Sequence, residues 1–423
     1  MFGWLMSSRV RAPRSHHAVR AARRCPVLSA ASCRTFQQRG RNGGASFIHR
    51  ADATRRCAVH RCVRDVPDSA SHHDNMGMRS SQEPLRITSI DDAIHLLPHL
   101  LGFQPEESLV TLIVGPPGCS AEGLVARMDL LPLSTRAGFL AGPGAIETAY
   151  PSCDMLMVVF SQDIHRGLTI LRNGLPLLTR SRVLEAVATD QVMWQAVSCA
   201  DDCPGHRVAN GSRVHAEAVY RGLAVLPNRS SLAEAVGPAH PSQLRIEHPV
   251  RVAVQQQMAH LSSDEQTALA QKVRDGVVAA GAAPSVEQAW QLVICLENDE
   301  VARRLWETTP RERARKHAEL WSQVLTHCPD DHALAVLALH GLACWLCGDG
   351  ALESVSLERA RLIHRADPSS QPAGTSLIAA LEATYRALLA PHTWDVMPRD
   401  PAVMALGEGA EESISVAAPR TCA

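Results

Sequence analysis

Short apolar runs that alternate with helical periodicity between residues 85 and 197 restrict the fold more than any other feature of this sequence. Residues 109–114 and 154–160 have strand length and are rich in Val, Leu, Ile or Met, which is typical of strands buried inside a sheet. Residues 134–149 and 164–173 instead have helical patterns. This alternation predicts a layered α/β domain.

A turn of two glycines and two prolines, Gly115-Pro116-Pro117-Gly118, separates the first apolar run from a second one at residues 124–131. So short a connection predicts an antiparallel hairpin. Further strands are predicted at residues 85–87, 182–188 and 192–197. Because a hairpin is combined with strand–helix–strand alternation, we predict a mixed sheet with helices for an N-terminal domain at residues 83–212.

A helix at residues 91–101 is predicted from its ends. Ser89 and Asp92 have the spacing of a capping box, with Asp in place of Glu. Gly102 follows the last apolar residue, where a glycine commonly ends a helix.

Helical patterns dominate the sequence after residue 213. We predict an all-α domain at residues 213–395 and a disordered tail at residues 396–423. Within the helical domain, residues 335–368 are similar to a tetratricopeptide hairpin: Gly341 and Trp345 lie on the first helix, residues 348–350 make the turn, and Ala360 lies on the second helix. Small residues at Gly341 and Ala360 would let two helices approach closely.

Residues 1–82 form a basic tract with 15 arginines, no lysine and four acidic residues. It has no sustained period, which predicts a disordered extension. Three interpretations compete: an organellar transit segment, a basic arm for nucleic acid or membrane, and a gene model that starts too early, with translation from Met76 or Met78. We favour the early start because ordered periodicity begins just after these methionines.

Charge and hydropathy narrow the class of protein. The chain has a net charge of −1, so the part beyond the basic tract is mildly acidic, which argues against nucleic acid as its partner. The apolar runs are too short to span a bilayer, and the sequence does not start with the apolar core of a secretory signal. Its scattered cysteines suit a reducing compartment. We therefore expect a soluble cytoplasmic protein that does not associate with membranes.

Several segments in this order resemble the family catalogued as domain of unknown function 4192, found mainly in actinobacteria. The matching segments are LRITS at 85–89, PHLLGFQPEESLV at 98–110, RMDL at 127–130, LAVLPNR at 223–229, WLCGDGAL at 345–352 and LERA at 357–360. The resemblance covers about residues 85–395 and implies an α/β front half and a helical back half. It implies no activity, and the basic tract departs from the family pattern.

Motifs for common cofactors are missing. A phosphate-binding P-loop needs a Lys followed by Ser or Thr, but Lys272 precedes Val273 and Lys316 precedes His317. A dinucleotide fingerprint needs backbone amides in a glycine-rich turn, and the two prolines of the 115–118 turn remove such donors. The sequence also lacks HExxH and G-x-S-x-G. Apart from zinc, no cofactor is expected.

Cys199, Cys203 and His206 form the best candidate metal site. Two thiolates and an imidazole within eight residues can bind zinc, with Asp201 or Asp202 supplying an oxygen. A structural zinc site also needs a fourth strong ligand, and no second close pair of cysteines or histidines is evident in the sequence. Two ordinary loop cysteines, or a local disulfide, are the competing interpretations.

Ser108, Arg127 and Asp129 form a second candidate site. Arg127 and Asp129 are two residues apart on a predicted strand, so both point to the same face. The preceding loop contains Glu106 and Glu107, which would bring carboxylates near Arg127. Such a set suits acid–base chemistry or a cationic ligand. An exposed acidic turn with a structural salt bridge is the simpler interpretation.

Two functions follow from these observations. The first is a protein-interaction or regulatory module that binds an unknown protein partner through its helical half. The alternative is an enzyme or small-ligand-binding domain with a polar site on the α/β half. The absence of a recognisable nucleophile or cofactor loop favours the first, and a polar pocket at Ser108, Arg127 and Asp129 would favour the second.

Overall fold

The computed structural model describes residues 85–114, 124–151, 153–366 and 372–406. They divide into two compact units. The first comprises residues 85–97 and Glu106–Gly222, and the second comprises Pro98–Pro105 and residues 223–406. The predicted extension at residues 1–82, with Met76 and Met78, lies outside the described residues.

The first unit is built on a six-stranded mixed sheet with the strand order β2-β1-β3-β4-β5-β6. Its strands are β1 (Ser108–Val114), β2 (Val125–Asp129), β3 (Asp154–Phe160), β4 (Arg182–Thr189), β5 (Met193–Ala196) and β6 (His206–Arg207). β1 is antiparallel to β2 and β3, β3 is parallel to β4, and the remaining pairs are antiparallel. The predicted mixed sheet and the β1–β2 hairpin are confirmed.

The middle of the sheet forms the core of this unit. All seven residues of β1 are buried, as are the last six of β3. Strands that are covered on both faces have continuous apolar sequences instead of alternating ones, which explains why these two runs were recognisable. Leu85 and Ile87 are also buried, but residues 85–87 form only a single bridge at Leu85 and not the predicted strand.

Six helices belong wholly or partly to this unit. They are α1 (Ile90–Leu101), α2 (Leu130–Leu133), α3 (Arg136–Ala141), α4 (Pro143–Ala149), α5 (Ile164–Gly174) and α6 (Arg213–Tyr220). The single helical segment predicted at residues 134–149 is two helices, because Gly142 departs from helical backbone angles and Pro143 starts a new helix.

The start of α1 differs in detail from the predicted capping box. Ser89 Oγ accepts a hydrogen bond from Asp92 N at 3.1 Å, as expected. The Asp92 carboxylate instead accepts from Thr88 N at 2.9 Å and from Ser212 Oγ at 2.7 Å. Burial opposes ionisation, but the hydrogen bonds from Thr88 and Ser212 outweigh it and lower the pKa of Asp92. The Asp92 carboxylate in the first turn of α1 is therefore ionised at neutral pH and accepts hydrogen bonds from Thr88 and Ser212.

Helix α5 lies close to its neighbours because two of its positions are glycine. A Cβ at Gly174 would lie 2.1 Å from Cε2 of Phe139, whose side chain is buried. A Cβ at Gly167 would lie 2.8 Å from Val159 on β3 and 2.9 Å from Ala188 on β4. All three distances are far below van der Waals contact, so no larger residue fits at either glycine without movement of the core.

The second unit is rich in helices. It contains α7 (Arg229–Glu234), α8 (Pro241–Met258), α9 (Ser263–Ala280), α10 (Val286–Cys295), α11 (Asp299–Glu307), α12 (Ala314–Leu325), α13 (Ala333–Leu346), α14 (Gly350–Ala366), α15 (Thr375–Arg386) and α16 (Pro401–Leu406). Trp394 packs edge-on against both Trp306 and Trp345, each at a centroid distance of 6.1 Å. Large aromatic side chains therefore supply much of the core although they are few in the sequence.

Helix α13 lies at the centre of this unit. All fourteen of its residues are buried, and it packs against α12, α14 and α15. A Cβ at Gly341 would lie 2.4 Å from Cδ2 of Leu381 on α15 and 3.5 Å from Cβ of Ser356 on α14. The absence of a side chain at Gly341 thus sets how closely these helices approach.

The last described residues are ordered by local contacts. Asp400 accepts a hydrogen bond from Ala402 N at 2.9 Å at the start of α16, and Pro401 and Met404 are buried. Residues 396–406 of the predicted tail therefore contain a short packed helix, which begins at a capping carboxylate and has two buried residues. The remainder of that tail, residues 407–423, lies outside the described residues. Within the part of the chain that the structure describes, no helix has both the length and the apolar character to cross a bilayer.

Candidate metal centre

The loop between β5 and β6 brings Cys199, Cys203 and His206 together. Cys199 N donates to Ala196 O at 3.1 Å, and Cys203 N donates to Ala200 O at 3.0 Å, so the chain turns twice after β5. It then returns through β6, which pairs His206 with Trp194 of β5. Cys199 and His206, which are seven residues apart in sequence, therefore face one another.

The donor atoms of these three residues have the spacing of metal ligands. His206 Nε2 lies 3.7 Å from Cys199 Sγ and 3.6 Å from Cys203 Sγ, and all three atoms lie within 4.8 Å of one another. With Zn–S bonds of about 2.3 Å and Zn–N bonds of about 2.1 Å, adjacent ligands of a tetrahedral zinc ion lie about 3.6 Å apart. The side chains are thus close to ligand geometry without further folding.

His206 is held by an aromatic neighbour. Its ring stacks on Trp194 with a centroid distance of 4.4 Å and an angle of 29° between the planes. Trp194 Nε1 in turn donates to Asp91 Oδ1 at 3.1 Å, and Asp91 also accepts from Ala209 N. Contacts of this kind orient a ligand before the ion binds.

The cluster lies at the edge of the core and is partly open. Cys199 is buried, whereas Cys203 and His206 are half-buried. Asp201 and Asp202, which the sequence offered as oxygen ligands, are exposed. The Asp201 carboxylate lies 3.7 Å from Arg172 Nη2 and its side chain is fully exposed. Among the described residues, the metal-ligand cluster therefore has three members.

The second candidate site is an ion pair between two half-buried side chains, linked to a buried serine. Ser108 and Asp129 are paired across β1 and β2. Arg127 Nε donates to Ser108 Oγ at 2.8 Å, and Arg127 Nη1 lies 2.6 Å from Asp129 Oδ1. The Ser108 hydroxyl donates to the backbone oxygen of Glu106. The structure brings together all three residues that the sequence predicted.

Glu106 and Glu107, which were predicted to bring carboxylates near Arg127, have different roles in the structure. Glu106 is exposed and contributes its backbone oxygen. Glu107 has a positive φ of 41°, and its carboxylate accepts from Ser161 Oγ at 2.8 Å and Arg166 Nη1 at 3.0 Å. These contacts tie the loop before β1 to the end of β3 and the start of α5, so the Glu107 carboxylate serves a connection between elements.

A buried polar group in the helical unit had no signal in the sequence. Ser356 Oγ donates to Leu352 O at 2.8 Å, so it accepts the hydrogen bond from His340 Nδ1, also at 2.8 Å. Burial lowers the pKa of His340 to about 4. Burial, followed by the charge of Asp349, raises the pKa of Glu353 well above its ordinary value. Glu353 Oε1 has no hydrogen-bond partner among the residues that the structure describes.

Two cysteines of the helical unit, one buried and one half-buried, are poorly suited to redox chemistry. Cys344 and Cys347 have redox spacing but lie at the end of α13, where the helix dipole does not favour a thiolate. Burial, and then the charge of Asp349, raises the pKa of Cys347 to about 11 and that of Cys344 well above its ordinary value. Both thiols are therefore protonated at neutral pH.

Comparison with known proteins gives one match. A family model described as a domain of unknown function, DUF4192, matches residues 91–389. No curated protein and no solved structure matches the chain. The matched stretch contains Cys199, Cys203 and His206 as well as the Arg127 network.

Proposed function

The chain belongs to the family of domain of unknown function 4192, and from the donor geometry we propose that its α/β unit binds a zinc-class metal ion through Cys199, Cys203 and His206. The single observation that supports this proposal most strongly is the pair of Sγ–Nε2 distances, 3.7 and 3.6 Å. Both match the separation of about 3.6 Å expected between zinc ligands.

The chemistry of the donors also favours zinc. Thiolate and imidazole ligands suit Zn²⁺ and other borderline or soft ions, whereas Mg²⁺ and Ca²⁺ prefer oxygen. Two thiolates would balance the charge of a divalent ion, so the partly buried site would contain no uncompensated charge. The bound ion would close the loop between β5 and β6 and fix its conformation.

Metal binding is a form of the small-ligand-binding function that the sequence offered as the alternative for the α/β unit. The network of Ser108, Arg127 and Asp129 supports a structural role instead, because the guanidinium contacts both other side chains and Ser108 is fully buried. No histidine or carboxylate base contacts the Ser108 hydroxyl in the described hydrogen bonds, as a nucleophilic serine would require.

The test is metal binding by the full-length protein after removal of metal under reducing conditions. We expect one equivalent of Co²⁺ to bind and to give thiolate charge-transfer absorption in the near ultraviolet. C199S, C203S and H206Q each remove one donor, so their affinity should fall by more than the roughly 10- to 100-fold that loss of a supporting contact costs.

The matched control is C347S, which makes the same atomic exchange at a half-buried cysteine outside the cluster. C347S should bind Co²⁺ as the unmodified protein does. Equal affinity in C199S, C203S, H206Q and the unmodified protein would overturn the proposal, as would elemental analysis with no zinc in a protein purified without chelators.

A second proposed role is docking of a protein partner by the helical unit. The packing of α13 against α14, with Gly341 next to Ser356 and Ala360 buried, supports a tetratricopeptide-like hairpin formed by these two helices. Because α13 is buried along its length, the partner would contact the outer face of α14, where Leu362 is 63% exposed. A photo-crosslinking residue at Leu362 should then trap one defined partner, and the same residue at the exposed Glu234 should not.

We also propose a cytoplasmic location. Cys295, Cys328 and Cys344 are buried thiols, and unpaired cysteines are usual where the compartment is reducing. Fractionation of cells that produce a tagged protein would test this location.

A further inference from the structure

The two cysteines of the candidate metal centre lie close enough to react with each other. Their sulfur atoms and His206 Nε2 all lie within 4.8 Å of one another. Because the sulfur atoms of a disulfide are about 2.05 Å apart, the two sulfurs need to approach by less than about 3 Å. A change of side-chain rotamer moves a cysteine sulfur over such a distance. The pair is therefore near bonding distance for a disulfide.

The backbone of both cysteines is held against β5. Cys199 N donates to Ala196 O at 3.1 Å. The buried side chain of Gln195 donates through Nε2 to Cys203 O at 3.2 Å. Cys203 N also donates to Ala200 O at 3.0 Å, which closes the turn between the two cysteines. The two sulfur atoms are therefore kept together by the fold of the loop itself.

The two cysteines differ in their exposure to solvent. Cys203 is half-buried, and its neighbours Asp202 and Pro204 are exposed. Cys199 is only 7% exposed. Redox-sensing cysteines are accessible to the oxidant and often lie next to a second cysteine that resolves the oxidised form. Cys203 has the position of the first and Cys199 that of the second.

We propose that the cluster is a reversible redox site, in which hydrogen peroxide converts Cys199 and Cys203 to a disulfide and thereby releases the metal ion. The release of the ion rests on the proposed metal site. The Cys203 sulfur attacks a peroxide oxygen, the O–O bond breaks, and the hydroxide that leaves takes up a proton to become water. The Cys199 sulfur then attacks the sulfenic sulfur, so the S–S bond forms and the S–O bond breaks with loss of a second water. The two sulfurs lose two electrons in total, and both peroxide oxygens end as water.

Oxidation releases the ion because it removes two of its ligands. Cysteine binds zinc as an anionic thiolate, whereas the sulfur atoms of a disulfide are neutral. Of the three proposed ligands, His206 alone would keep its donor atom. A disulfide between residues four apart closes a short loop and stabilises the fold little. A thiol reductant should therefore restore both thiolates and, with them, metal binding.

The experiment treats the full-length, zinc-loaded protein with a small excess of hydrogen peroxide. Zinc release is followed with a chromogenic indicator, and the remaining thiols are alkylated before digestion with trypsin. Cys199 and Cys203 are the two cysteines of the tryptic peptide at residues 183–207, so their disulfide appears as the loss of two hydrogens from that peptide. We expect one equivalent of zinc to be released as this disulfide forms, and a thiol reductant to reverse both changes.

Single variants separate the two steps of the reaction. C199S should stop at a sulfenic acid on Cys203, which dimedone labels, whereas C203S should give little labelling at Cys199. The matched control is Cys347 in the same sample. Burial, followed by the charge of Asp349, raises the pKa of the Cys347 thiol to about 11. Because the thiolate is the reactive form, Cys347 should be oxidised roughly tenfold or more slowly than Cys203.

Two results would overturn the inference. One is zinc that stays bound while Cys347 is oxidised, and the other is a disulfide that joins Cys199 or Cys203 to a cysteine in another peptide. Failure of the metal proposal looks different, because Co²⁺ would then not bind in the first titration, or would bind equally well to C199S. In that case the same peptide mapping on the metal-free protein decides whether the disulfide forms.

Discussion

Trp194 stacks on His206, with ring centroids 4.4 Å apart and an angle of 29° between the ring planes. The two residues are also partners across β5 and β6. The indole therefore fixes the imidazole in the sheet register, and this contact is available before any ion binds.

The first prediction concerns this contact. W194L removes the aromatic face, so we expect metal affinity to fall about 10- to 100-fold, as for other contacts that orient a ligand. W194F keeps a ring but loses the hydrogen bond to Asp91, and should have intermediate affinity. Competition with a metal indicator measures the affinity of each variant, and circular dichroism checks that each variant is folded. Unchanged affinity in W194L would show that His206 is positioned by other means.

The second prediction concerns the network on β1 and β2. R127M leaves Ser108 Oγ and the Asp129 carboxylate without their shared donor, and Arg127 is only 15% exposed. We expect the free energy of unfolding to fall by about 1–3 kcal/mol, the cost of an unsatisfied buried group. R127K restores the positive charge but cannot contact Ser108 and Asp129 through two separate nitrogen atoms. It should therefore recover only part of the lost free energy of unfolding. If R127M is as stable as the unmodified protein, the network is not structural, and that result would favour a ligand-binding role.

The third prediction compares two glycines in helices. G174A places a methyl group 2.1 Å from the ring of Phe139, so we expect a loss of about 1–3 kcal/mol from overpacking. G276A lies inside α9, and nothing is within 4 Å of its added Cβ. It should stabilise the protein by up to about 1 kcal/mol, the difference in helix propensity. Urea denaturation of both variants measures the effect, and equal effects in the two variants would contradict the packing described at α5.

The fourth prediction concerns stability in acid. Burial lowers the pKa of His340 in the folded state from its ordinary value of 6.5 to about 4. Between these values the unfolded chain binds a proton that the folded chain excludes, so the contribution to stability is full above about pH 6.5 and is lost as pH falls toward 4. H340N keeps a donor for Ser356 but does not titrate, and its stability should fall less steeply over this range. Parallel pH profiles for the two proteins would refute this assignment.

The cluster of proposed metal ligands could be predicted because its three residues lie close together in sequence. Cys199, Cys203 and His206 lie within a segment of eight residues. A loop of that length brings its ends together at little entropic cost. The spacing alone therefore indicated the cluster. It did not indicate Trp194 or Asp91, because their contacts depend on the register of β5 with β6 and on where α1 lies against them.

The strands were predictable for a different reason. β1 and β3 are buried along almost their whole length, so their sequences are predominantly apolar. The surroundings of Glu107 could not be predicted in this way. Its positive φ and its contacts with Ser161 and Arg166 join residues more than fifty positions apart, and no local pattern encodes such a contact.

Helix α13 packs against α11 and α12, which precede it in sequence, and against α14 and α15, which follow it. During synthesis its apolar surface therefore emerges from the ribosome before two of the four helices that cover it. The nascent chain must therefore keep this segment from self-association, by chaperone binding or by transient collapse, until residue 386 has been made. A chain that terminates between α13 and α15 would leave it uncovered and should be cleared by proteolysis or aggregate.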